Sequence, residues 1–524
     1  MDGGLRMSDD GKSGGETVTP AAPKVTRNRS NRASFAVFAD FWLDESSQVS
    51  LWVQLYEQLR QALITRRLPL GTRLPATRLL ADELGCSRNT VLGAFEQLIA
   101  EGYLEGRIGS GTYVAETLPD DFTRPDLNST AEANSAACDL ELSQRGKLLT
   151  ATMPAHREPY KAFAPSLPDV TLFPFETWDR ISRLWRAPSL RLLTDTDPCG
   201  YWPLRETICS YLRTARMIEC KPEHVIITTG AQNGIDMVAR LLLDQHDAVW
   251  VEDPGYPGLR GALSAADTQV IPVAVDGDGL SIAAGLSTGV APRMIAVAPS
   301  HQYPLGVTMS LQRRMELLSF ADEANCWIIE DDYDNEFRYA GRPPAALRSL
   351  DGGNRVIYVG TFSKVLFPSL RLGYLVVPPR IAERFALARV GLDLQPPILP
   401  QPIVDMFIRE GFFSAHVRRM RAIYRERQEA LVRAAGEYLS DILDVAPDNS
   451  GLHLLGHLSP SVARRMDDAE ASRRASKRNV VAPALSSFYA DRRDGAALVL
   501  GYSAVDKDAI VAATVRLAQA LTEP

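Results

Sequence analysis

From about residue 156 to the C-terminus, short apolar runs rich in β-branched residues alternate with longer amphipathic stretches. The spacing predicts strands over His224–Thr228, Ala248–Val251, Gln269–Val273, Met294–Ala298, Cys326–Glu330, Val356–Val359 and Tyr374–Val377. Helices are predicted between several of them, including Gln232–Leu243, Leu311–Ala324 and Gln401–Glu410. Buried strands read as continuous apolar runs of this length. Strands that alternate with helices pair side by side, because the crossover between parallel neighbours is long enough to hold a helix. The alternation therefore confines this region to an α/β fold with a mostly parallel sheet. In such sheets ligands bind beyond the carboxyl ends of the strands.

A different pattern precedes it. Leu51, Leu55, Leu59, Ala62 and Leu63 fall on one face of a helix over 51–64. In the next helix Thr77 is the expected cap and Gly85 the left-handed stop, and Ser87 is the expected cap of a third. Two helices joined by a short glycine turn make a helix-turn-helix, whose second helix offers its first residues to a DNA groove. Arg88, Asn89 and Thr90 are the candidates there, backed by Val91, Ala94, Phe95 and Leu98. Gly102–Val114 reads as a two-stranded wing in which Gly109 and Gly111 permit a tight backbone and Arg107 or Thr112 would meet phosphate.

The chain has 524 residues and a formal net charge of −7, so any nucleic-acid surface has to be local. Residues 1–48 read as a disordered tail with a basic run over 24–32, and 117–155 as a polar linker with a short helix expected near Ala131–Leu142. The six cysteines have no metal-binding spacing, and no metal is expected. With no secretory leader and no spanning apolar run, the expected compartment is the cytoplasm.

Val359–Tyr374 reads as a pyridoxal-phosphate anchor: an apolar strand, a Ser/Thr turn, Lys364, then Arg371. That cofactor needs an amine for its aldehyde, an acid at its ring nitrogen, a stacking ring and a phosphate cradle. Lys364 supplies the amine, as an internal aldimine. Asp331, at the end of the Cys326–Asp334 run, is the ring-nitrogen candidate, and Tyr333 the partner of the ring oxygen. Tyr256, in Glu252-Asp-Pro-Gly-Tyr256, is placed to stack. Gly230, Ala231 and Gln232, in a turn running to Asn233, open a helix suited to phosphate, with Ser363 and Arg371 completing the cage.

The first unit resembles the GntR-type winged helix, on Leu74-Pro-Ala-x-Arg78, Leu80-Ala81, Ser87-Arg88-x-Thr90-Val91, Glu101-Gly102 and Gly109-x-Gly111-Thr112. That resemblance implies a DNA face that includes Arg78, Arg88, Thr90, Arg107 and Gly111. The second resembles fold-type I aminotransferases and, more narrowly, the MocR/GabR regulators. The residues that carry this are Pro299-Ser-His-Gln-Tyr-Pro-x-Gly306, Ile329-Glu-Asp-Asp-Tyr-Asp-x-Glu-Phe337 and Gly360-Thr-Phe-Ser-Lys364. The fold class implied is multidomain: an N-terminal winged helix-turn-helix (49–116) and an α/β fold-type I aminotransferase-like domain that binds pyridoxal 5′-phosphate (156–524, with a smaller subdomain from about 400). The implied function is a regulator that binds operator DNA, senses an amine, an amino acid or the cofactor itself, and acts as a head-to-tail homodimer. The alternative is an active aminotransferase with an appended DNA-binding module.

Three features depart from the aminotransferase pattern. Tyr303 and Leu305 replace the usual Asn and Thr of the turn beside the ring oxygen, leaving His301 or Gln302 as substitutes. The last strand, Ala496–Tyr502, lacks the arginine that grips a substrate carboxylate, and Arg492 and Arg493 lie nearby. Gly258 stands where GABA-responsive relatives are expected to carry an arginine.

Overall fold

The structure, a computed structural model, describes residues 38–44, 46–107, 109–119, 141–152, 161–185, 194, 197–341, 344–490 and 496–523. The basic run at 24–32, most of the 117–155 segment and Arg492 and Arg493 lie outside them. The chain divides into two compact units, Met1–Leu140 and Glu141–Pro524.

In the first unit, α1 (Leu51–Ile64), α2 (Thr77–Leu84) and α3 (Arg88–Ala100) precede a hairpin of β1 (Leu104–Arg107) and β2 (Gly111–Val114). Leu55, Leu59, Leu63, Leu80, Val91, Phe95 and Leu98 close one apolar cluster. Burying each such side chain stabilises the unit by roughly 1.5–3 kcal/mol. Gly85 ends α2 at φ 65°, the left-handed region where a side chain is disfavoured. Ser87 caps α3 by accepting the Thr90 N–H at 3.1 Å. Thr77 does not cap α2. Ala76 holds the cap position without a side-chain bond, and Thr77, the first helical residue, instead accepts from Arg88 Nε at 3.4 Å. Residues assigned to the tail also join this unit: Phe38 is 1% exposed in its core, and the Trp42 backbone pairs with the Gln58 amide.

The second unit is built on an eight-stranded sheet of order β3-β10-β9-β8-β7-β4-β5-β6. The strands are β3 (Val225–Thr228), β4 (Ala248–Asp253), β5 (Gln269–Asp276), β6 (Gly279–Leu280), β7 (Met294–Val297), β8 (Trp327–Asp332), β9 (Val356–Thr361) and β10 (Gly373–Val376). The central strands β5, β4, β7, β8 and β9 are parallel. β10 runs antiparallel to both β9 and β3. Its reason is local: the chain returns from Thr361 to Gly373 through a short connection, too tight for a helical crossover. That connection holds Lys364.

Strand alternation sorts the side chains. Val249, Val251, Ala296 and Ile329 face one apolar cluster, while Trp250, Ile295, Val297 and Ile328 face another. Asp331 therefore emerges on the side of Ile329, and Glu330 and Asp332 on the other. Helices α4 (Gln144–Thr152), α5 (Phe175–Leu184), α6 (Trp202–Arg216), α7 (Ala231–Leu242) and α8 (Pro257–Ala265) belong to this unit, and α4 packs on α8. The short helix expected near Ala131–Leu142 falls mostly outside the described residues, and 141–143 are not helical. A three-stranded antiparallel sheet, β11 (Leu443–Val445), β12 (His453–Leu458) and β13 (Ala497–Gly501), forms the smaller subdomain. Phe163 bridges to Gly501, so the segment entering the unit also reaches that sheet.

Candidate functional site

Asp331 sits at the carboxyl end of β8. Its neighbours are neutralised by the chain. Glu330 accepts the N–H groups of Leu347 and Arg348 at 2.9 and 2.8 Å. Asp332 pairs with Arg216 Nε at 2.7 Å and accepts the Tyr358 hydroxyl at 2.5 Å. Asp331 Oδ1 is buried and has no hydrogen-bond partner among the described residues. Burial, then the Asp332 charge, pushes its pKa up to about 7, against a downward pull from Lys364. A buried acid left open on one side fits a cationic ring N–H.

A cavity opens at Asp331, lined also by Glu252, Tyr256, Ala298 and Tyr303. Tyr256 is the residue before α8, and its hydroxyl lies 3.4 Å from Gln232 Oε1. Gly258 lies directly beneath its ring, since a Cβ there would overlap Tyr256 Cζ. The third departure thus has a structural consequence: with Tyr256 in this position, no side chain fits at 258. Sequence reading missed Glu252 as a site residue. It is 6% exposed, its Oε1 has no hydrogen-bond partner among the described residues, and burial pushes its pKa up to about 8.

Opposite β8, Gly230 turns β3 into α7 at φ 87°, presenting the first N–H groups of the helix at Ala231 and Gln232. Such a terminus suits phosphate. Arg371, itself left-handed at φ 49°, donates to Thr229 O at 3.0 Å and crosses this turn. A Cβ on Gly230 would stand 3.3 Å from Arg371 Nη2, so the glycine keeps the cradle open. Lys364 is half-buried, and its Nζ donates to Ser166 O at 2.9 Å. Ser363 is its half-buried neighbour. Ser166 was not foreseen: it is left-handed at φ 57°, 9% exposed, and its own hydroxyl is unpartnered.

The substitutes for the missing Asn behave differently. Gln302 has its amide engaged, donating to Pro254 O of the connection after β4 and to Tyr303 O at 2.8 Å, and accepting from Leu305 N at 3.0 Å. It is therefore not a ring-oxygen contact. His301 instead touches Tyr333, whose hydroxyl lies 3.1 Å from its Nδ1. Tyr303 places its ring edge-on to those of Tyr256 and Tyr333, at 6.4 and 6.0 Å.

In the first unit Arg78, Ser87, Arg88 and Asn89 are exposed at the start of α2 and α3, and Thr90 is half-buried. Ser87 is engaged as the cap, and its hydroxyl also lies 2.9 Å from that of Thr90. On the wing, Arg107 lies over the Tyr113 ring at 4.7 Å and within 3.8 and 3.6 Å of Glu105 and Glu116. Gly111 has φ 113°, and a Cβ there would meet Arg73 Nε at 3.2 Å. Arg73 is an exposed cation that sequence reading did not single out. It reaches the wing because Leu74 N bonds Thr112 O at 2.9 Å and Val114 N bonds Thr72 O at 2.9 Å, adding 72–74 to the hairpin.

Comparison with known proteins gives these two sites one context. Residues 51–114 match "Bacterial regulatory proteins, gntR family", and residues 194–497 match "Aminotransferase class I and II". The class is thus a winged-helix reader fused to a fold-type I aminotransferase fold. The chain is 40% identical to the "Probable rhizopine catabolism regulatory protein MocR" of Rhizobium meliloti, covering 88% of this chain and 92% of that one. It is 30% identical to the "HTH-type pyridoxine biosynthesis transcriptional regulator PdxR" of Corynebacterium glutamicum, covering 89% and 95%. The structure of LysN, an α-aminoadipate aminotransferase of Thermus thermophilus complexed with N-(5′-phosphopyridoxyl)-L-leucine, matches with a TM-score of 0.63 at 28% identity, over 72% of this chain and 94% of that one. The chain belongs to the MocR family of transcriptional regulators. It is a DNA-binding regulator whose cofactor is pyridoxal 5′-phosphate.

Proposed function

We propose that the second unit senses a small amine, an amino acid or the cofactor itself, and reports it to the reader. The observation that carries this is Asp331: a buried carboxyl with an unpartnered oxygen, on a cavity it shares with the ring of Tyr256. When bound, pyridoxal phosphate supplies an electrophilic carbon for amines and a ring that withdraws electrons. The rest belongs to the chain. Lys364 Nζ, released from Ser166 O, attaches the cofactor, and Asp331 holds a proton at the ring nitrogen. Tyr333 donates to the ring oxygen and Tyr256 covers the ring face. Gly230, Ala231, Gln232, Ser363 and Arg371 hold the phosphate. On the reader, Arg78, Arg88, Asn89 and Thr90 enter the groove, with Arg107, Gly111 and Thr112 on the wing against the backbone. Ser87 serves the same face by fixing the start of α3. We assign residues 49–116 to the reader and 156–524 to the sensor, and a head-to-tail homodimer in the cytoplasm as the working form.

Any shift in DNA binding requires the ligand to prefer one state of the protein. An absorbance titration of the holo-protein with a panel of amines tests the reading. A spectral shift without turnover supports sensing, while repeated transamination of an amino acid favours the enzyme alternative. That alternative draws on the LysN likeness and the intact Lys364–Asp331 pair. Loss of the lysine-bound band in Lys364→Ala checks the anchor.

A further inference from the structure

Beside Tyr333 lies a buried, ionisable side chain that the cofactor roles leave unused. His301 is 2% exposed. From the segment after β8, Asp334 Oδ2 lies 2.9 Å and the Tyr333 hydroxyl 3.1 Å from its Nδ1. From the loop before β12, Asp448 Oδ2 lies 3.6 Å from its Nε2. His453, on β12, packs its ring 5.3 Å away and bonds through Nε2 to Pro304 O at 2.9 Å. The backbone is fitted around this junction. Gly451, at φ 90°, lies against the His301 ring, where a Cβ would overlap it, and a Cβ on Gly306 would stand 2.6 Å from Asp448 Oδ2.

Geometry fixes the proton at one ring nitrogen, and the two carboxylates favour a second at the other. Asp334 accepts at Nδ1, which therefore carries a proton, while Nε2 makes no hydrogen bond among the described residues and has the Asp448 carboxylate as a charged neighbour at 3.6 Å. Burial would push the His301 pKa down, but Asp334 and Asp448 reverse this and carry it up to about 10. Burial likewise would raise Asp448, and the contact with His301 brings it below its ordinary value. His453 goes the other way, to about 4, through burial and the neighbouring His301 charge. It is neutral and donates to Pro304 O. Tyr333 keeps its proton, since burial and then Asp334 push its pKa well above the ordinary value. His301 Nδ1–H thus points at oxygens of Asp334 and Tyr333, and the Tyr333 O–H must donate elsewhere.

We propose that His301 is a positioning residue: its charged ring, clamped by Asp334 and Asp448, turns the Tyr333 hydroxyl outward as a donor to the phenolic oxygen of the bound cofactor, with a strength set by where the 446–451 loop carries Asp448. This rests on Tyr333 being the ring-oxygen contact. It links the smaller sheet to the electronic state of the cofactor through three side chains. A displacement of that sheet would then change how readily the lysine-bound cofactor holds its proton.

The test is a pH titration of the visible band of the holo-protein, with folding followed by circular dichroism. A donor to the ring oxygen stabilises the deprotonated chromophore and lowers its midpoint. Asp448→Asn removes the charge at a side chain that is 31% exposed while nearly keeping its shape. It should raise the midpoint by about half a pH unit, roughly a threefold change in the protonation constant. Asp448→Glu, which keeps the charge, should restore the wild-type midpoint. Tyr333→Phe should raise the midpoint further, and in that background Asp448→Asn should add nothing. An unchanged midpoint in Asp448→Asn, or equal shifts in both backgrounds, overturns the proposal. An unchanged midpoint in Tyr333→Phe overturns instead the placing of Tyr333 on the ring oxygen.

Discussion

The reader and the cofactor pocket handle polar groups in opposite ways. The reader exposes them: Arg73, Arg78, Arg88 and Asn89 stand in solvent around an apolar core. The pocket buries them, and leaves oxygens of Asp331 and Glu252 without hydrogen-bond partners among the described residues. The difference follows from what each recognises. A nucleic acid is a large anion, felt through water by exposed cations. A small ligand is held by a few desolvated groups, each costly to bury unless the ligand completes it. Changes in the pocket should therefore be large and ligand-dependent, and changes in the reader smaller and salt-dependent.

Lys364→Ala should produce the largest effect, complete loss of the visible cofactor band while DNA binding by the reader remains measurable. Gly230→Ala comes next. It adds a side chain at φ 87° against Arg371 and should weaken cofactor binding about tenfold or more by equilibrium dialysis. Glu252 makes the stability of the cofactor-free protein fall with pH. Its folded pKa is raised from 4.5 to about 8, so the folded chain retains a proton that the unfolded chain releases. The stabilisation is complete below about pH 4.5 and is lost as pH climbs towards 8. Glu252→Gln should flatten that fall, a difference on the order of a few kcal/mol in urea unfolding at pH 8. Arg88→Ala should weaken DNA binding about tenfold and lower the salt slope by about 1, with the cofactor band untouched. Ser87→Ala, which removes the α3 cap, should destabilise the reader by about 1 kcal/mol in thermal melts. A reader variant that altered the cofactor band as strongly as Gly230→Ala would erase the contrast.

Much of this was legible because strands and caps are local. The β-branched runs located β3–β5 and β7–β10 but not the two-residue β6, and a strand end rich in acids located Asp331. Alternation alone explains why Asp331, and not Asp332, is left for a ligand. What escaped the sequence depends on distant chain. Ser166 meets Lys364 from 198 positions away, and Arg73 reaches the wing only because 72–74 pair with β2. The antiparallel run of β10 was hidden because periodicity carries no strand direction. Thr77 was expected as a cap from its residue type, but Ala76 took the extended conformation one residue earlier. Gln302 looked available, but its amide is taken up by Pro254 from a distant loop and by its own neighbour Tyr303.

If the second unit senses as proposed, the cofactor site and the reader share one equilibrium. The direct measurement is the affinity of the full chain for DNA from upstream of its own gene, by fluorescence anisotropy, with and without pyridoxal phosphate. The two affinities should differ by about fivefold or more, a coupling of the usual allosteric size, with no difference in Lys364→Ala. Equal affinities for the cofactor-bound and cofactor-free wild-type protein, with and without an amine that shifts the cofactor spectrum, would contradict that coupling.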